Sequence, residues 1–164
     1  MNKKIIIIAT ILVAVLGGIV WLKFPAKQQN TASLLNFSQG FLETKETNFD
    51  FGTISMAKGK VKHSFQIKNT GEEPVIIEKI YTSCMCTTAS LEIDGKKFGP
   101  FGMQGHGFIP KINKELGPNK KALVDVEFDP AAHGLSGIGY VKRIVYLETS
   151  AGLEQLEISA KVTP

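Results

Sequence analysis

Cysteine is scarce in this chain, and what there is of it is confined to Cys84-Met85-Cys86. A framework of structural disulfides is therefore excluded. A bridge between two residues so close would enclose almost no chain and would remove little unfolded-state entropy. Catalytic signatures are equally absent: there is no Gly-x-Ser-x-Gly, no phosphate-binding glycine loop, and no carboxylate pair that spacing singles out. The expectation is accordingly a protein that is not an enzyme. No internal repeat is visible, and no helical period separates the short alternating runs after Asn48.

Charge of one sign is also missing where it would matter. The formal net charge is +4, but the first 27 residues hold Lys3, Lys4, Lys23 and Lys27 and no acid. The remainder carries 15 basic and 15 acidic residues and is neutral. A nucleic-acid-binding domain normally shows its basic surplus on the domain itself, so no nucleic-acid partner is expected.

What the chain does have is one long apolar run. Ile5–Leu22 is uncharged over 18 residues. As a helix it would extend roughly 27 Å, close to the hydrocarbon thickness of a bilayer. Trp21 stands at its far end, where an amphipathic ring favours the interface. A cleaved signal peptide usually has a shorter apolar core followed by a small-residue box. The candidate box here, Asn30-Thr31-Ala32, has a bulky amide at its outer position. The expectation is an uncleaved single-pass anchor over residues 1–23, with residues 5–22 in the lipid bilayer. The short N-terminal arm stays cytoplasmic, and the domain is held outside the cytoplasm at the cell membrane.

Residues 24–47 read as a polar linker, and residues 48–164 as one domain. Val61, His63, Phe65 and Ile67 alternate with polar neighbours, the mark of a half-buried strand. His63 lies on that apolar face and reads as a hydrogen-bonded packing residue. Further strands are expected at Val75–Thr82, Thr88–Ile93, Lys121–Phe128, Tyr140–Thr149 and Leu153–Val162, the last two joined through Ser150-Ala151-Gly152. With the Asn48 run this gives about seven strands and an all-β, immunoglobulin-like antiparallel sandwich. Lys96–Glu115 and Asp129–Gly139 are left as long connections, which in compact domains usually carry function.

Phe49-Asp50-Phe51-Gly52, Val61-x-His63-x-Phe65, Asn69-Thr70-Gly71 and Ser83-Cys84-x-Cys86-Thr87 together resemble the bacterial domain of unknown function 1573. That family is an immunoglobulin-like sandwich related to the ASH and hydin-type modules. Phe128-Asp129-Pro130 and Lys142-x-Ile144-x-Tyr146 agree more loosely. Met85 replaces the glycine common between the cysteines in that family, and the segment from Phe98 to Pro110 looks like an addition. The resemblance implies a fold and no activity.

Chemistry is expected around the cysteines. In an extended strand Cys84 and Cys86 would present both sulfurs to one side. Their α-carbons would then sit near the upper limit for a disulfide, which favours a shared metal ion over a bond. Downstream, Gly99–Gly107 sets Met103 and His106 among glycines. Cysteine, methionine and histidine are soft to borderline donors, suited to copper(I) and, as the alternative, to zinc. The expected ligands are Cys84, Cys86, Met103 and His106, with His133 in a second glycine-rich loop able to approach the same edge. Two other readings stay open: a thiol–disulfide couple using the same cysteines, and a plain module that binds a protein partner.

Overall fold

The computed structural model describes residues 41–164, so the expected anchor and most of the expected linker lie outside the described residues. Among the described residues no helix is long and apolar enough to cross a membrane. The described part contains ten strands: β1 (Leu42–Thr44), β2 (Asn48–Ser55), β3 (Val61–Asn69), β4 (Val75–Thr82), β5 (Thr87–Ile93), β6 (Lys96–Phe101), β7 (Lys114–Leu116), β8 (Lys121–Phe128), β9 (Gly139–Thr149) and β10 (Gly152–Thr163). They form two five-stranded sheets, ordered β1-β3-β8-β5-β6 and β2-β10-β9-β4-β7.

All seven expected strands are present, and three more join them. Strand β1 pairs with β3 and falls within residues 24–47, the stretch read as linker. Strand β6 lies within Lys96–Glu115, read as a long connection, and β7 overlaps its end. Asp94-Gly95 is in fact the two-residue turn of a β5–β6 hairpin. Its φ values of 49° and 76° are those that a turn matching strand twist requires. The second arm, Lys-Lys-Phe-Gly-Pro-Phe, lacks alternation, because β6 is an edge strand with a register shift against β5 and buries only Phe101. The sheets are also not wholly antiparallel. β2 lies parallel to β10, with Phe49 beside Ile158.

The core lies between the sheets. Phe65, Ile67, Leu91, Val124, Val126 and Phe128 come from one face; Ile77, Ile80, Val145, Leu147, Leu156 and Ile158 come from the other. Alternation breaks in β4, where the buried positions run Val75, Ile77, Ile80, Thr82. A bulge between Ile77 and Lys79 shifts the parity by one, which carries Thr82 inward at the strand's end. Asn69 is fully buried yet satisfied: its amide donates to the Glu73 and Leu116 carbonyls, and its carbonyl oxygen accepts from Gly71 N–H. His63 stacks on Phe49 at 3.6 Å between ring centroids and bonds Glu46 at 2.8 Å, the packing role expected of it.

Candidate functional site

The chain leaves one sheet for the other between Thr82 and Thr87, and the cysteines sit in that crossing. The extended geometry expected for Cys84-Met85-Cys86 is not what forms. Residues 83–86 make a bend and turn, closed by Thr87 N–H donating to the Cys84 carbonyl at 3.1 Å. The buried Thr82 hydroxyl, 3.0 Å from the carbonyls of both Cys84 and Thr87, holds the turn from below. Ser83 fastens it to β9, its N–H donating to the Ile144 carbonyl and its hydroxyl accepting Ile144 N–H, each at 2.9 Å. The reason for the departure is topological. A strand that must switch sheets cannot stay extended, and a turn folds the two side chains together.

The sulfurs consequently lie 2.7 Å apart, the Cys86 thiol donating to Cys84. That separation falls between the roughly 2.05 Å of a disulfide and the about 3.7 Å of two thiolates on a tetrahedral metal with 2.3 Å bonds. Cys84 is half-buried and Cys86 is buried, while Met85 points outward and is 56% exposed.

Two further residues complete the cluster. The loop after β8 brings His133 over the turn, its Nε2 lying 3.1 Å from the Cys84 sulfur. That loop is set by Asp129, whose backbone N–H donates to the Cys86 carbonyl and whose carboxylate accepts Ala131 N–H, both at 2.9 Å. Gly137 lies close against the imidazole's base: a Cβ there would stand 3.2 Å from the His133 Cβ. From β9, the Arg143 guanidinium donates through Nε to the Cys86 sulfur at 3.1 Å and through Nη1 to the Lys142 carbonyl at 2.8 Å. Arg143 is the only arginine in the sequence, a signal in plain view amid 19 basic residues. A planar, permanently charged donor suits a sulfur better than lysine's mobile ammonium.

These surroundings make the two thiols unequal. Burial by itself would raise the Cys84 thiol, but hydrogen bonds from Cys86 and His133 and the charge of Arg143 outweigh it. The thiol comes down from 9.0 to about 7. Burial pushes the Cys86 thiol up, and the hydrogen bond it gives to Cys84 adds to that, with Arg143 opposing. Arg143 itself is raised: burial works against its charge, but the bond to Cys86 and the two sulfurs' negative character prevail.

Of the residues expected as ligands, the structure brings Cys84 and Cys86 together and adds His133, their ligand atoms all within 4.8 Å of one another. His106 is exposed and does not join that group. Its loop is turned outward, with its N–H bonded only to the Met103 carbonyl at 3.3 Å. Met103 is half-buried and forms a lone parallel bridge with Thr82, two positions before Cys84. The glycine-rich context that drew notice to His106 also surrounds His133. Only the β8–β9 connection, pinned to Cys86 through Asp129, decides between them.

Residues 42–99 match the family described as "Protein of unknown function (DUF1573)". The resemblance read from Phe49 to Thr87 is thus shown over that segment. No curated protein matches the chain in sequence. Among solved structures, a protein of unknown function from Porphyromonas gingivalis W83 superposes with a TM-score of 0.57 at 17% identity. That alignment covers 80% of this chain and 51% of the other, so the chain spans about half its relative's length. The ASH / PapD-like domain 7 of human CEP192 aligns with a TM-score of 0.46 at 13% identity, over 77% of this chain and 87% of that one. The YadV chaperone gives 0.45 at 8% identity, over 75% and 52%. At such identities the likeness shows a fold alone.

Proposed function

We propose that this chain, whose residues 42–99 match a family defined without an activity, is a membrane-anchored extracytoplasmic immunoglobulin-like module whose Cys84–Cys86 pair exchanges thiols for disulfide with a partner protein. The observation that carries the reading is the 2.7 Å approach of the two sulfurs in a turn. An extended backbone would favour a chelate over a bond, but the turn at residues 83–86 is not extended.

The chemistry follows from the inequality of the thiols. Cys84, half-exposed and flanked by His133 and Arg143, is the attacking sulfur; low-pKa, accessible cysteines are the reactive ones. Its thiolate displaces one sulfur of a partner disulfide, forming a mixed disulfide and releasing the first partner thiolate. Cys86 then loses its proton and attacks the Cys84 sulfur. This closes the Cys84–Cys86 bond and releases the second partner thiolate. Two electrons pass from the pair to the partner disulfide, and each released thiolate takes up one proton. The exchange is stoichiometric and reversible.

Equilibration of the reduced full-length chain with glutathione buffers of graded potential, followed by mass analysis, tests this. The expected result is a two-hydrogen loss per chain at a defined potential, with Cys84 and Cys86 joined within one molecule. A pair that stays reduced, or that oxidises only between chains, defeats the proposal.

One observation favours a second reading: three soft or borderline donors, Cys84, Cys86 and His133, already converge. They suit copper(I) or zinc, with the Met103 thioether as the nearby candidate for a further ligand. Titration of the reduced chain with copper(I) would then show one ion bound. His133→Ala would weaken binding and His106→Ala would not. Equal effects of the two substitutions would dismiss His133 as a ligand.

A further inference from the structure

Strand β9 is paired along its whole length on one side and along only part of it on the other. Against β10 the ladder runs unbroken from Gly139↔Val162 to Thr149↔Gly152. Against β4 it runs from Thr149 only to Val145↔Thr82, and after Ser83 the chain turns away towards the other sheet. Over Gly139–Arg143, no strand among the described residues lies on the β4 side of β9.

The direction of each backbone group there is fixed. Ile144 N–H and C=O both face Ser83. Backbone groups alternate sides along a strand, so those of Lys142 and Tyr140 face the same way, and those of Arg143 and Val141 face β10. The β10 side agrees: Glu157, opposite Ile144, gives its N–H to the Thr47 carbonyl and so faces away from β9. The Lys142 carbonyl is taken by the Arg143 guanidinium. Tyr140 N–H, Tyr140 C=O and Lys142 N–H remain on the open side.

This open edge ends at the thiol pair. The position that a continued β4 would have occupied beside it is where Cys84 and Cys86 turn, and Arg143 spans the two features, bonding the Cys86 sulfur and the Lys142 carbonyl. The segments that carry these features also carry exposed apolar side chains: Met85 at 56%, Leu135 at 79%, Ile138 at 42% and Tyr140 at 79%. Met85 lies between the cysteines, and Leu135 and Ile138 follow His133 in its loop.

We propose that the open edge of β9 at Tyr140–Lys142 receives an extended polypeptide segment of a partner as an added strand, laying that segment's disulfide against Cys84. An unpaired edge is a ready template for another chain. Backbone pairing gives such a site affinity without fixing sequence, while apolar neighbours give preference for certain side chains. The edge recognises backbone, the rim of Met85, Leu135 and Ile138 recognises apolar side chains, and the thiol recognises a disulfide. An extended, apolar, disulfide-bearing segment meets all three. This inference rests on the thiol-exchange reading of Cys84 and names its substrate class.

The test compares two mixed disulfides with the same thionitrobenzoate leaving group on the reduced full-length chain. One carries a short alternating Val/Thr peptide ending in cysteine, and the other carries only N-acetylcysteine amide. The expected release from the peptide is about tenfold faster, as one or two net hydrogen bonds would give. Methylating the backbone nitrogens of one alternate set of peptide residues should abolish the acceleration, and methylating the other set should not. Equal rates for peptide and small probe, or equal effects of the two methylation patterns, overturn the edge-docking proposal and leave thiol exchange intact. Failure of even the small probe to release thionitrobenzoate overturns the exchange reading, and the docking proposal falls with it.

Discussion

Cys84 and Cys86 are two residues apart and chemically unalike, because one faces solvent beside His133 while the other is buried under Arg143. The lowered Cys84 thiol has a direct consequence for pH. Its thiolate, the nucleophilic form, predominates above about 7 and is lost by protonation below it. Alkylation of Cys84 by iodoacetamide should rise through neutral pH and level off above it, where an ordinary thiol would still be rising. Replacing Arg143 with Met removes the positive charge that helps to lower the Cys84 thiol, so the midpoint should move upward. A midpoint unchanged by R143M would mean that the guanidinium does not act on Cys84.

Among the elements, β3 carries the plainest energetic expectation. Phe65 is fully buried between the sheets. Phe65→Ala should destabilise the protein by about 3–5 kcal/mol, the range for a truncated core phenylalanine, as read by denaturant unfolding. A loss under 1 kcal/mol would be out of line with so enclosed a site. The alternation of β3 was legible in the sequence because one of its faces is buried and the other wet. Strand β6 was not, because an edge strand with glycine, proline and two lysines buries little and writes no period. The Asp94-Gly95 turn was visible as punctuation, and its φ values identify it as the tip of a hairpin.

On the scale of the whole chain, the apolar run Ile5–Leu22 and the strand-rich remainder ask for different solvents. A phosphatase reporter fused after Pro164 should be active outside the cytoplasm, and the mature protein should retain Trp21. A mature N-terminus near Ser33 would replace the anchor by a cleaved signal, and a reporter active only in the cytoplasm would reverse the orientation. The compartment bears on the site. A dithiol held outside the cytoplasm meets partner disulfides, whereas the same pair inside is kept reduced.

The sequence by itself determined the all-β class, seven of the ten strands among the described residues and the two cysteines, because each of these is written locally, in a period of two or in a residue type. It could not determine that Cys84 and Cys86 turn instead of running on, since that follows from β4 ending in one sheet and β5 beginning in the other. Nor could it choose between His106 and His133, which stand in similar glycine-rich loops. The choice depends on Asp129 binding the Cys86 carbonyl, a contact spanning residues more than forty apart, and Arg143 reaches Cys86 across a gap of 57. Those approaches are decided by how the two sheets close over one core, and only the tertiary structure contains them.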